Sequence, residues 1–201
     1  MRPEGALTEG VLKRAGRAAS AVFAAAALLW PFAILAGIRF GGLREVIFAA
    51  DVVLSLRAMQ PGLAPFARLA SLACAILCSA ALLLSQESLV FWYPVLVNGA
   101  LLALFAGSLL WGPPVAERLA RLSFKEGLPQ EAVRYCRKAT AAWCGFFLVN
   151  GLVALGTVLA GDADVWTLWN GCFSYVFLGA FALCEYGVRR RVQRAAESSL
   201  P

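Results

Sequence analysis

The sequence predicts an all-α fold: a polytopic membrane helix bundle of about six transmembrane helices, the second one short. Three observations carry this. Four long runs, at 18–38, 89–111, 139–160 and 165–188, are apolar and free of charge except for Glu185 near the end of the last. A helix rises about 1.5 Å per residue and the hydrocarbon layer is about 30 Å thick, so each run is long enough to cross. Most Lys and Arg residues lie in the shorter segments between the runs, and 61% of all residues are hydrophobic. The formal net charge of +6 therefore reports orientation in a membrane rather than affinity for nucleic acid.

Residues 1–17 carry Arg2, Lys13, Arg14 and Arg17 and read as a cytoplasmic N-terminal segment. The first run is longer than the apolar core of a signal peptide and ends at Arg39, which predicts an uncleaved helix kinked at Pro31. A transmembrane domain is expected over 18–191. The segment 46–56 has Asp51 at its centre and is bracketed by Arg44 and Arg57. Its length alone suits an interfacial piece. The connection 57–68, however, reads as cytoplasmic like the N-terminus, so the short segment must return the chain. Residues 69–85 form the third span.

Loops 86–88 and 161–164 hold Glu87, Asp162 and Asp164 without Lys or Arg and read as periplasmic. Segment 112–138 holds Arg118, Arg121, Lys125, Arg134, Arg137 and Lys138, and the tail holds Arg189, Arg190, Arg191 and Arg194; both read as cytoplasmic, which places both termini there. Trp92, Tyr93, Trp166 and Trp169 fall at outer ends, and Trp111, Trp143 and Tyr186 at inner ends. Arg39 and Arg44 land in the outer loop, against the positive-inside trend. Within 112–138, Pro113-Pro114 stops the fourth helix and begins a short amphipathic one. Glu117 and Arg121 are spaced i,i+4 there, Leu119 and Leu122 lie on its apolar side, and Gly127 ends it. Pro129 suits the first turn of a helix continuing into the fifth span. Residues 192–201 lack a packing signal and are expected to be disordered.

Histidine is absent, which excludes Ser-His-Asp triads, Cys-His pairs, His-based metal sites and the His-Asp motif of common acyltransferases. Cys74, Cys78, Cys144 and Cys172 lie inside apolar runs with no metal-ligand spacing. No metal, no cofactor and no enzymatic activity are expected. A membrane transferase would have only Asp51 and Glu185 as bases at useful depth, on different helices and toward different depths.

The membrane-embedded polar candidates are Asp51, Tyr93, Asn98, Asn150, Asn170, Tyr175 and Glu185. Intramembrane polar groups either hydrogen-bond between helices or serve function. Asn98 and Asn150 lie near mid-span on helices expected to be antiparallel, so they should face inward within reach of each other or of Tyr175. Asp51 has a functional reading and a pairing with Arg44 or Arg57; Glu185 has a surface ion pair with Arg189. Arg118, Arg121, Arg137 and Arg189 either set orientation or form a site for an anionic phospholipid headgroup or phosphate. Small residues recur at Ser71, Ala75 and Ser79 and at Gly99, Ala103 and Gly107, which predicts a close-packed hairpin of helices three and four. Leu-Val-Asn-Gly occurs at 96–99 and again at 148–151, but the flanks do not align as a repeat. Six helices in so small a chain would need a homodimer to enclose a path.

Three segments carry a family likeness: Phe91-Trp92-Tyr93-Pro94-Val95-Leu96-Val97-Asn98; Trp111-Gly112-Pro113-Pro114-Val115-Ala116-Glu117-Arg118-Leu119-Ala120-Arg121; and Tyr135-Cys136-Arg137-Lys138 with Trp143, Phe147 and Asn150. With Leu168-Trp169-Asn170-Gly171, Tyr175, Gly179, Glu185 and Arg189, they resemble the bacterial inner-membrane proteins that accompany aryl-polyene and xanthomonadin-type pigment gene clusters. The resemblance covers roughly residues 90–191; the first 60 residues match only as apolar helices. It implies an inner-membrane accessory in the biosynthesis or export of a polyene-type lipid, with cytosolic polyene-synthesis enzymes as partners, and assigns no catalytic residue. A transporter or flippase for a lipid intermediate or small solute is the alternative expectation.

Overall fold

The computed structural model describes residues 29–60, 62–63, 65–123 and 129–198. The expected N-terminal segment 1–17, the first part of the first apolar run and Gly127 lie outside the described residues. The described chain is helical: α1 (Leu29–Phe40), α2 (Leu43–Ala58), α3 (Pro65–Leu83), a 3-10 segment (Glu87–Trp92), α4 (Tyr93–Leu110), α5 (Val115–Ser123), α6 (Gln130–Ala160), α7 (Ala163–Leu168), a π-helical turn (Trp169–Phe173) and α8 (Ser174–Ser198). Three helical stretches, Glu87–Leu110, Gln130–Ala160 and Ala163–Val192, are long and apolar enough to cross a bilayer. This is a membrane protein by that measure. Many large apolar side chains face outward, among them Leu69, Ile76, Leu152 and Leu183, as lipid-facing surfaces require.

Each boundary has a local cause. α2 begins after Gly42 and takes in Arg44, Glu45 and Arg57, so it spans 16 residues, about 24 Å at the α-helical rise. Ser85 closes α3 in the left-handed region (φ 53), while the N–H of Gln86 donates to the carbonyl of Ala81 at 2.9 Å, a Schellman-type stop. Pro94 stands in the first turn of α4. It therefore opens that helix, where its missing N–H does no harm, and does not kink a longer one. α6 follows Pro129 and runs unbroken for 31 residues. Gly161 ends it at φ 69, and the Asp162 carboxylate then caps α7 by accepting from the N–H groups of Asp164 at 2.8 Å and Val165 at 3.1 Å.

Helices pair differently from the expected hairpin of helices three and four. The 3-10 segment carries the chain away from α3, so α3 packs on α2 and α4 packs on α6. Ser71 and Ala75 are buried on α3, whereas Gly99 and Ala103 on α4 are exposed. The buried stripe of α4 is instead the one holding Pro94, Asn98 and Ser108. Hydrogen bonding by Asn98 sets the rotation of α4 and turns its small residues outward. Ala75→Leu is therefore expected to destabilise by about 1–3 kcal/mol through overpacking, while Ala103→Leu stays within about 0.5 kcal/mol. Equal membrane abundance of the two variants would contradict this packing.

The tail differs as well. α8 continues through Ser198, so the disorder expected from 192 does not begin there. Arg, Gln, Ala and Glu are good helix formers, and neither Gly nor Pro interrupts 188–198.

The two ends of the bundle are built differently. At one end, Trp166, 1% exposed, sits with Ile34, Ile47, Cys78, Ala81 and Val90 in the main core cluster. Its ring meets Phe91 edge-on at 4.9 Å, and its Nε1 donates to the Phe91 carbonyl at 3.0 Å. Arg39 reaches across to Asp164 with Nη2 contacts of 2.8 and 2.9 Å. Arg39, one of the two basic residues that run against the charge trend, is thus neutralised by an acidic partner in the loop 161–164. At the other end, α5 lies against α6: the Ala116 N–H donates to Thr140 Oγ1 at 3.3 Å, and the Val115 N–H to Ser108 Oγ at 3.1 Å. The expected i,i+4 pair forms, Arg121 donating to Glu117 at 2.6 and 2.9 Å. Leu119 is not on the packed side, however: Glu117 and Ala120 are buried and Leu119 is 60% exposed, because the backbone at Val115 and Ala116 is tied to Ser108 and Thr140.

Candidate functional site

Five of the seven polar candidates converge. Asn98 on α4, Asn150 on α6, Asn170 in the π-helical turn, and Tyr93 and Tyr175 line one open pocket of about 130 Å³ together with Ser174, Phe146 and Phe147. The three asparagines are 8%, 8% and 4% exposed. As expected from their matching depths, Asn98 and Asn150 meet: Asn150 Nδ2 donates to Asn98 Oδ1 at 3.1 Å and to Ser174 Oγ at 3.1 Å. Asn98 Nδ2 donates back to the Pro94 carbonyl at 2.8 Å. Asn170 Nδ2 donates to the Trp166 carbonyl at 2.9 Å and to Thr157 Oγ1 at 3.3 Å. Tyr93 and Tyr175 face one another within hydrogen-bonding reach.

Sequence and local geometry explain the convergence. Gly151 favours it: a Cβ there would stand 3.1 Å from Asn98 Cβ, so a side chain at this position would push α4 and α6 apart by a few tenths of an ångström or more. The π-helical turn adds one residue to the last helix and re-aims it, a device common at functional positions. It places both Asn170 and Ser174 on the seam facing α6. Gly171 on the same turn lets α1 dock, since a Cβ there would meet Phe32 at 3.1 Å and Pro31 at 3.2 Å. Near the turn, Thr167 Oγ1 and Trp169 Nε1 are buried without a partner among the described residues.

The remaining candidates lie elsewhere. Asp51 is half-buried between α2 and α3, where Ser79 Oγ donates to its carboxylate at 3.0 and 3.1 Å. Glu185 is engaged by Tyr135, whose hydroxyl meets its Oε1 at 3.0 Å and its carbonyl at 3.1 Å, rather than by an ion pair with Arg189. Among the basic residues, Arg118 donates to the Pro113 carbonyl in the connection before α5 at 2.8 Å, and Arg137 donates to the Leu109 carbonyl at 3.1 Å, one of those that the end of α4 leaves open. Arg121 is held by Glu117. Arg189 and Arg121 are electrostatic neighbours of buried Cys136 along with Glu117 and Glu185.

Sequence reasoning missed Ser174, Thr157, Ser79 and Tyr135 as partners. Small hydroxyl residues in an apolar run give no pattern, and only the i,i+4 spacing of Asn170 and Ser174 hinted at a shared face. No protein-family model, no curated protein and no solved structure matches the chain.

Proposed function

We propose that this is a six-helix, multi-pass protein of the bacterial inner membrane, with both termini cytoplasmic. In this reading it serves as a non-enzymatic accessory in the biosynthesis or export of a polyene-type lipid. The pigment setting rests on the resemblance over residues 90–191. The observation that supports an accessory role is the fixed placement of α5. The backbone N–H groups of Val115 and Ala116 tie it to α4 and α6, so that Arg118, Leu119 and Arg121 are presented at the surface. Such a basic, partly apolar face suits anionic headgroups and the cytosolic synthesis enzymes that work beside them. Deletion should reduce pigment or misplace it, and the purified protein should bring down a pathway enzyme that Arg118→Glu with Arg121→Glu releases. Unchanged pigment together with no co-purifying enzyme would remove the reading.

Orientation has its own test. The end that gathers Arg39, Phe91, Asp164 and Trp166 is assigned to the periplasm and the end with α5 to the cytoplasm. Reporter fusions after residue 163 should read as periplasmic, and those after 125 or 195 as cytoplasmic. A periplasmic signal at 125 would invert the assignment.

The open polar pocket favours a second reading, a transporter or flippase working as a homodimer. Flux into reconstituted vesicles above protein-free controls would support it. Absence of flux for every candidate, with Asp51→Asn indistinguishable from the parent, would dismiss it.

A further inference from the structure

At the end of the bundle that holds Arg39 and Asp164, an open pocket of about 370 Å³ lies between the 3-10 segment and the corner where α6 gives way to α7. Its wall is largely apolar and aromatic: Phe91 and Trp92 come from the 3-10 segment, Val158 and Leu159 from α6, and Trp166 from α7. Trp166 is fixed there because its Nε1 donates to the Phe91 carbonyl at 3.0 Å. Gly161 at the corner leaves the space open, since a Cβ on it would meet nothing within 4 Å.

The charge of this pocket has one sign. Asp162 is the only ionisable residue on its lining among the described residues. Both of its capping bonds to α7 use Oδ1, so Oδ2 is left for another donor. The positive end of α7 is offset by that same carboxylate. The wall supplied by α6 is its C-terminal turn, where carbonyls lack intrahelical partners and the helix dipole is negative. The Gly161 N–H engages one of them, that of Val158, at 3.2 Å. Asp164, two residues on, is already paired with Arg39, so that pair adds little net charge.

A carboxylate, helix-end carbonyls and aromatic rings together favour a cation and repel an anion. The oxygens call for N–H donors, of which a primary ammonium has three and a trimethylammonium none. The rim points to a lipid as the source. Leu159 is 72% and Trp92 37% exposed. Both stand near the ends of stretches long enough to cross a bilayer, at the level where headgroups meet hydrocarbon. We propose that this pocket holds the ammonium group of an ethanolamine phospholipid from the adjoining leaflet, with the Asp162 carboxylate as its counter-ion. The assignment stands apart from the pigment setting and from transport, since it needs only a chain that lies in a bilayer.

The test titrates the delipidated full chain in detergent with ethanolamine and choline phospholipids of the same acyl chains, and native mass spectrometry counts the lipid retained. One ethanolamine lipid should be held about tenfold more tightly than the choline lipid, the worth of a hydrogen bond to a charged group. Asp162→Asn keeps an oxygen to cap α7 and should erase the preference. Glu87→Gln removes a carboxylate that does not line the pocket and should preserve it. Ser88 is exposed and lines the pocket, so Ser88→Phe should fold and weaken retention of the ethanolamine lipid; it is the readout if Asp162→Asn does not fold. Equal retention of the two lipids, a preference unchanged in Asp162→Asn or lost in Glu87→Gln, or retention unchanged in Ser88→Phe would each overturn the proposal. So would displacement of the lipid by an equal concentration of glycerophosphoethanolamine, which has the headgroup without the chains and would assign the pocket to a soluble amine.

Discussion

Gly151→Leu is expected to abolish accumulation of folded protein in the membrane. A Cβ at this position would lie 3.1 Å from Asn98 Cβ, and neither atom can swing away because both are attached directly to helix backbones. α4 and α6 would have to separate. Overpacking of this kind costs about 1–3 kcal/mol, and separation also breaks the Asn150–Asn98 hydrogen bond. Gly156 on the same helix is the control: a Cβ there meets nothing within 4 Å, so Gly156→Leu should be tolerated. Immunoblots of membrane fractions and thermal midpoints in detergent read both variants. Comparable levels for the two would mean that α4 and α6 do not approach as described.

Asn150→Leu is the second large effect. It removes two hydrogen bonds at once and leaves Asn98 Oδ1 buried without a donor. Interhelical hydrogen bonds in membranes are individually modest, about 0.6 and at most ~1.7 kcal/mol. The stranded oxygen adds its own desolvation penalty, so a loss of about 1–3 kcal/mol is expected. Replacing Asn98 as well removes the stranded group. The double variant Asn98→Leu with Asn150→Leu should therefore lose less than the sum of the singles. Strict additivity would show that the two amides are energetically separate.

Hydropathy and charge were enough to read helices in the chain, because lipid imposes a length and a composition on any crossing segment. Depth was also legible: Asn98 and Asn150 could be matched from their positions alone. Pairing was not. Small residues at 99, 103 and 107 resemble a packing stripe, yet that face is largely open and Gly151 makes the close approach. A stripe shows which backbones can approach, not which do, and hydrogen bonds of buried amides decided it. The tetrapeptide Leu-Val-Asn-Gly, unconvincing as a repeat, turns out to mark both sides of the α4–α6 contact, though only its second glycine is packed. Ser174 stayed hidden because its role depends on the π-helical turn, and an extra residue in a helix leaves no trace in hydropathy. Glu117 was misplaced for a related reason. A carboxylate on a short amphipathic helix reads as solvated, and its burial follows from Thr140 and Ser108 receiving the backbone of α5.

The π-helical turn at Trp169–Phe173 has a mechanical meaning for the last helix. One residue of an α-helix is about 100° of rotation, so the turn divides α7 from α8 into two segments with independent phase. The leading segment is clocked by Trp166 in its aromatic socket and the trailing one by Ser174 against Asn150 and Glu185 against Tyr135. A uniform helix of the same sequence could satisfy one clock or the other, not both. The five-residue turn thus acts as a differential between two gears, and a change of one residue in its length would disengage one set of contacts while leaving the other meshed.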